Sequence, residues 1–334
     1  MPKPLPNAVA PQLDSRGRRF FAGAAALLAM TAVVSGPVGT GGQAAAEAPG
    51  APIAGSVSCA PTEARVALPT RAPLLDWSEN LTFDEATGSF WVSRAQRNVV
   101  EKYDGDARLV ASVPVQGPGA VRRGPDGLMY ATFGNSPLSG LSGGSGVVRF
   151  DPAAAGPKPE VFVTGLGQAN GAAFDADGTL YVADTSANTV VRIRPDGSID
   201  ADWTTRSHTA LAALGLGADG IVAADGILYV TLLESPTARV VALPIDDPAR
   251  ATVAVDLAPA PLSGPLLPDD LAIVDGLLYI ATGSGQLVLA DPVTHTSCTL
   301  LSGQPLTSVA VAPAPARTLL LGTEGGDVLK AHYR

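Results

Sequence analysis

Beyond about residue 60 the chain alternates short apolar runs with polar turns at a regular beat. The stretch NGAAFDADGTLYVADTSANTVVRIRPDG, residues 170–197, shows the unit. An apolar run meets an Asp-Gly turn, a second apolar run follows, and after a polar turn comes a third, VVRI. Runs of about five residues rich in Val, Leu, Ile and Tyr, bounded by Gly, Pro, Asn and Asp, predict strands joined by tight turns. Gly and Pro make up about a fifth of the chain and supply the punctuation. The pattern is all-β.

The unit recurs. Aligned on the two strands flanking the Gly turn, copies begin at Glu79, Gly119, Asn170, Asp219, Asp269 and Thr307, at spacings of 40, 51, 49, 50 and 38 residues. That period, with a third and a fourth strand expected in each copy, predicts a six-bladed β-propeller. The sixth copy runs out of chain after its third strand, at 327–333. EARVALPT, residues 63–70, precedes the first copy and is free to complete that last blade, closing the ring without an open sheet edge. The propeller is therefore placed at 63–334, with 47–62 as a leading segment.

In a propeller the first strand of each blade runs along the central channel, so its opening residues lie at one mouth. Three of the six openers are carboxylates (Glu79, Asp219, Asp269) and one is an amide, Asn170. Two carboxylates about 5 Å apart repel by roughly 3 kcal/mol at an effective dielectric near 20, so three on one axis hold protons or recruit a cation. Oxygen donors without His or Cys suit a hard ion, calcium first and magnesium next. Asn-Gly and Asp-Gly also form turns, which accounts for Gly171 and Gly220 but not for Glu79.

The NGAAFDADGTLYVADTSANTVVRIRPDG stretch resembles an NHL-type repeat. The register of Glu79, Asn170-Gly171 and Asp219-Gly220 resembles the senescence-marker-protein/gluconolactonase (regucalcin-like) family. This resemblance implies a divalent cation held by Glu79, Asn170 and Asp219, with Asp219 also the catalytic proton acceptor, and a lactone or related ester as substrate. Where the sugar lactonases carry an Arg and an Asn opening the second blade, this chain has Gly117-Pro118-Gly119; Asp269 is a fourth oxygen donor. The other reading is a non-catalytic secreted propeller that binds a ligand or protein on the same face. Around the mouth, loops between second and third strands offer Arg94, Arg97, Asp184, Asn188 and Glu234, and the long loop 133–146 suits a lid. His208 is a minor acid–base candidate.

The start of the chain reads differently. Arg18-Arg19-Phe20-Phe21, the apolar run 22–34 and the small residues Ala44-Ala45-Ala46 resemble a twin-arginine export signal over 1–46, cleaved near Glu47. The formal charge is −9. Without Lys3, Arg16, Arg18, Arg19 and Asp14 it becomes about −12, which opposes nucleic acid or an anionic membrane as partner. Cys59 and Cys298 are the two cysteines and lack metal-ligand spacing; in an exported protein they are expected to pair.

Overall fold

The structure, a computed structural model, describes residues 60–136, 138–139, 144–312 and 317–333, all within the compact unit 53–334. The export segment 1–46, the cleavage site near Glu47 and Cys59 lie outside the described residues. Cys298 is disulfide-bonded. It sits on the outer strand of blade five, Thr296–Ser302. The chain just after Cys59 reaches the same strand, where Thr62 N donates to Leu300 O at 2.8 Å. Among the described residues no helix is long and apolar enough to cross a membrane.

Six antiparallel sheets form six blades; five continue outward from an inner strand in sequential order, and the sixth ends on the strand Arg65–Leu68. The inner strands are Ser78–Asp84, Val121–Arg123, Ala169–Phe174, Ala218–Ala224, Pro268–Val274 and Leu306–Ala312. Their hairpins use the turn chemistry that the sequence advertises. Asp225-Gly226 and Asp275-Gly276 both have positive φ at the two central positions, the conformation that a two-residue hairpin with right-handed strand twist requires.

The strands are hydrophobic on both faces because each blade is sandwiched between two others. Buried apolar side chains fall into six clusters, each drawn from consecutive blades. Tyr181 and Val190 of blade three, for example, pack with Ile221, Leu228 and Val241 of blade four. Leu320 and Val328 of blade six pack with Leu81, Phe90 and Val92 of blade one. The last blade is completed by Arg65–Leu68, with Arg65 opposite Lys330 and Val66 opposite Leu329. Ring closure by the N-terminal strand is thus present as expected.

Blade three departs from the expected four strands. Its sheet has three, and the helix Ala201–Ala212 takes the outer place. Trp203 and Leu211 are buried, and Trp203 meets the Tyr181 ring edge-on at 5.3 Å. The third strand, Thr189–Ile193, still needs acceptors for its outward N–H groups. Two helix hydroxyls supply them: Val190 N donates to Ser207 Oγ at 3.1 Å and Arg192 N to Thr204 Oγ1 at 3.2 Å. The helix therefore caps a sheet edge that would otherwise stay open.

Candidate functional site

The inner strands do not pair regularly where the polar openers stand. Register slips between Ser78 and Asn80, Ala169 and Ala172, Ala218 and Ile221, Pro268 and Leu271, and Leu306 and Ser308. Five blades thus carry an irregularity at the same height. A bulge frees residues from the ladder and re-aims their side chains, and here it frees Glu79, Asn170, Asp219, Asp269 and Thr307.

Each expected residue has a definite environment. Glu79 accepts from Trp77 Nε1 at 2.6 Å and from Asn135 Nδ2 at 2.5 Å, one bond on each oxygen. Asn135, from the start of the long loop of blade two, accepts in turn from Gln168 Nε2 at 3.0 Å. The Asn170 amide donates to Asp219 Oδ1, which also accepts from Thr185 Oγ1 at 3.2 Å. Asp219 is 1% exposed. Asp269 is half-buried, and its backbone carbonyl accepts from Thr231 Oγ1 at 2.7 Å.

Burial and mutual repulsion dominate the electrostatics. Burial pushes the Glu79 carboxyl up, the bonds from Trp77 and Asn135 pull it down, and Asp270 and Glu324 push it up again. Asp219 is held well above the usual carboxylate range by burial and by Glu79. Asp269 is too, by burial and by Asp219, Glu79, Asp270 and Glu324. Among the described residues no Lys or Arg forms an ion pair with Glu79, Asp219 or Asp269. One buried and two half-buried carboxylates that repel one another, with a carboxamide, fit a hard cation in donor type and in charge. Among the described residues, however, no three His, Cys, Asp or Glu side chains are already gathered as a ligand cluster.

A pH dependence follows. The ring carboxyls hold their protons more firmly when folded than when unfolded. In the metal-free protein, stability is therefore highest at low pH and is lost as pH rises through the raised folded values. Asp76, Asp84 and Asp256 are shifted down, because hydrogen bonds and arginines there outweigh burial; their contribution is lost only as pH falls below about 4. Holding one proton tenfold more tightly is worth about 1.4 kcal/mol, or about 2–4 °C in a domain approaching this size. Metal-free protein is expected to melt higher at about pH 5.5 than at about pH 7.5 by at least that interval, and a thermal melt checks it.

Several sequence-level candidates take other places. Arg94 is buried, and its guanidinium bonds the carbonyls of Asp76 and Gly326 and the Ser78 hydroxyl and pairs with Glu101 at 3.2 Å. It holds blades together. Arg97 pairs with Asp76 at 2.9 Å. Asp184 accepts from the Gly167 and Gln168 amides at 2.6 and 2.9 Å, and Asn188 donates to Gly215 O at 3.0 Å. Glu234 is exposed. His208 lies on the outer helix with Nδ1 at 3.0 Å from Ala187 O. At Gly119 a Cβ would stand 2.6 Å from Thr132 Oγ1 and 2.9 Å from Asn170 O, so packing at this position admits no side chain.

Sequence reasoning missed a second layer below the ring. Asp270, 2% exposed, accepts from Asn80 Nδ2 at 3.0 Å and lies 3.7 Å from Arg122 Nη2. Arg122 Nη1 donates to Asn80 Oδ1 at 2.5 Å. The signals were present as neighbours: Asn80 follows Glu79, and Asp270 follows Asp269. Strict strand alternation assigns such neighbours to opposite faces, whereas the bulge turns both inward.

No protein-family model matches the chain. A virginiamycin B lyase from Nocardia farcinica is 30% identical over 181 residues, covering 46% of this chain and 62% of that protein. The match thus spans less than two thirds of the relative. Among solved structures, a gluconolactonase from Xanthomonas campestris superposes with a TM-score of 0.59 at 15% identity, over 82% of this chain and 95% of its own. The PQQ-bound aldose sugar dehydrogenase of Streptomyces coelicolor gives 0.55 at 18% identity, over 81% and 98%. The chain is a six-bladed β-propeller with the fold of the solved gluconolactonases.

Proposed function

We propose that the protein is an exported, divalent-cation-dependent hydrolase of small lactones or related esters, acting at the mouth ringed by Glu79, Asn170, Asp219 and Asp269. The observation that carries this reading is the ring itself: one buried and two half-buried carboxylates, without a cationic partner among the described residues, beside a carboxamide. A calcium ion held there would polarise a carbonyl and lower the pKa of a water. Asp219 is the base. It is the most enclosed of the ring acids, Asn170 and Thr185 fix its orientation, and Glu79 raises its basicity. Glu79, held through both oxygens, would serve as a fixed metal ligand instead of the catalytic base. Asn135 and Gln168 stand beside it as polar groups that would orient a substrate.

The lyase relative supports a second use of the same base. Removal of a carbon-bound proton, followed by loss of a carboxylate, opens a lactone by elimination instead of hydrolysis. Product analysis distinguishes the two, because elimination leaves a new carbon–carbon double bond.

The test is a panel of lactones and esters assayed with and without chelator, together with thermal melts. Chelated protein should melt lower, and calcium at about 100 times its Kd should restore about 2.7 kcal/mol. Within this test Asp269→Asn should weaken calcium; unchanged affinity would reduce the site to Glu79, Asn170 and Asp219. Turnover that ignores the chelator refutes metal dependence. Calcium-loaded protein that binds at the mouth yet turns over nothing is a binding module.

A further inference from the structure

The channel has a second end, and it differs chemically from the first. At the other termini of the inner strands lies a cavity of about 540 Å³, within the roughly 300–1,000 Å³ typical of small-ligand sites. Its walls mix polar and apolar surface; Phe83, Phe174, Val222, Ile273 and Val311, from five blades, are partly exposed apolar residues among them. Arg122 also lines it.

Arg122 is only partly committed. Nη1 donates to Asn80 Oδ1 and to Val121 O, while Nη2 stands 3.7 Å from Asp270, beyond hydrogen-bond reach. Nε and Nη2 thus have N–H groups without a protein acceptor. Neither is among the buried atoms that lack a partner, so both reach solvent, and the space Arg122 lines is this cavity. Its neighbour Arg123 is fully engaged by both oxygens of Asp84, at 2.9 and 3.1 Å, and by Gly127 O. Glu85 and Asp175 stand among the lining residues as acids. The cavity therefore offers one partly exposed guanidinium, beside Asp270, among partly exposed apolar side chains, within a setting that repels multiple negative charge.

We infer that this far-end cavity binds a small amphipathic monoanion, with a single carboxylate against Arg122 and an apolar body along the inner-strand walls. The site does not depend on the chemistry at the acidic mouth.

Calorimetric titration of the full chain with octanoate, 1-octanol and citrate tests the assignment. Octanoate should bind saturably and about tenfold tighter than octanol, the charged hydrogen bond being the difference, and citrate should not bind. Ala223→Phe, at a half-buried lining position, should weaken octanoate and octanol alike by about tenfold. Arg122→Met combined with Asp270→Asn, which avoids leaving a buried carboxylate unpaired, should bring octanoate to the level of octanol. If the double variant does not fold, Ala223→Phe and the comparison of ligands still decide. No saturable octanoate binding at millimolar concentration, equal binding of octanol, or unchanged affinity in Ala223→Phe overturns the inference. So does octanoate affinity that follows Asp219→Asn instead, since that places the ligand at the acidic mouth.

Discussion

Asp219→Asn should lower turnover by about 10²–10⁴-fold while weakening calcium only in part. The carboxamide keeps the shape, and its oxygen can still accept from Asn170 and Thr185 as Oδ1 does now. What disappears is one negative charge and the proton acceptor. Glu79→Gln should behave in the opposite way. Both Glu79 oxygens accept, from Trp77 and Asn135, and a Gln nitrogen would face one of those donors. Calcium affinity should therefore fall more than turnover at saturating metal. The check is kcat at saturating calcium beside a calcium titration for each variant. Turnover of Asp219→Asn within about threefold of wild type would place the base elsewhere.

Arg94→Met should cost about 3–5 kcal/mol, the penalty for leaving a buried ionic partner uncompensated. The guanidinium satisfies Gly326 O in blade six, Asp76 O and the Ser78 hydroxyl in the approach to blade one, and Glu101 within it. Met fills the volume but leaves the Glu101 carboxylate with Tyr103 Oη at 2.6 Å and the distant Arg97 at 3.8 Å. Arg97→Met serves as the control. That side chain is half-exposed, so its bond to Asp76 should be worth at most about 1 kcal/mol. Urea denaturation of the two variants should separate them clearly, and equal losses would remove Arg94 from its role in ring closure.

The contrast between these arginines marks where the sequence stops being legible. Blade number, inner strands and ring closure follow from the spacing of Glu79, Asn170, Asp219 and their counterparts, because a repeat imposes the same burial on each copy. The common height of the blade openers was legible for the same reason. Arg94 and Asp184 were not: both read from the sequence as solvated loop residues but end the strands Ser89–Arg94 and Leu180–Asp184, and only the three-dimensional path of the chain brings Gly326 or Gly167 to them. Asp270 and Arg122 were hidden by the bulge, which breaks the alternation used to assign strand faces. The helix of blade three replaces a strand because Trp203, Ser207 and Leu211 recur at helical spacing, a signal outweighed by the expectation that every blade repeats the last.

The strand Arg65–Leu68 also governs how the molecule comes into being. Its closing contacts pair Arg65 with Lys330, and just before it Thr62 bonds His332, 270 positions along the chain. A growing polypeptide can stack blades one to five on one another as they emerge, but blade six has no outer strand until the first residues meet the last. The final loop closure is entropically expensive and late. Until it happens, Val328–His332 offers a bare strand edge to any neighbouring chain. Refolding yield should therefore fall with protein concentration, and the intermediate that aggregates should be an open horseshoe with a missing clasp.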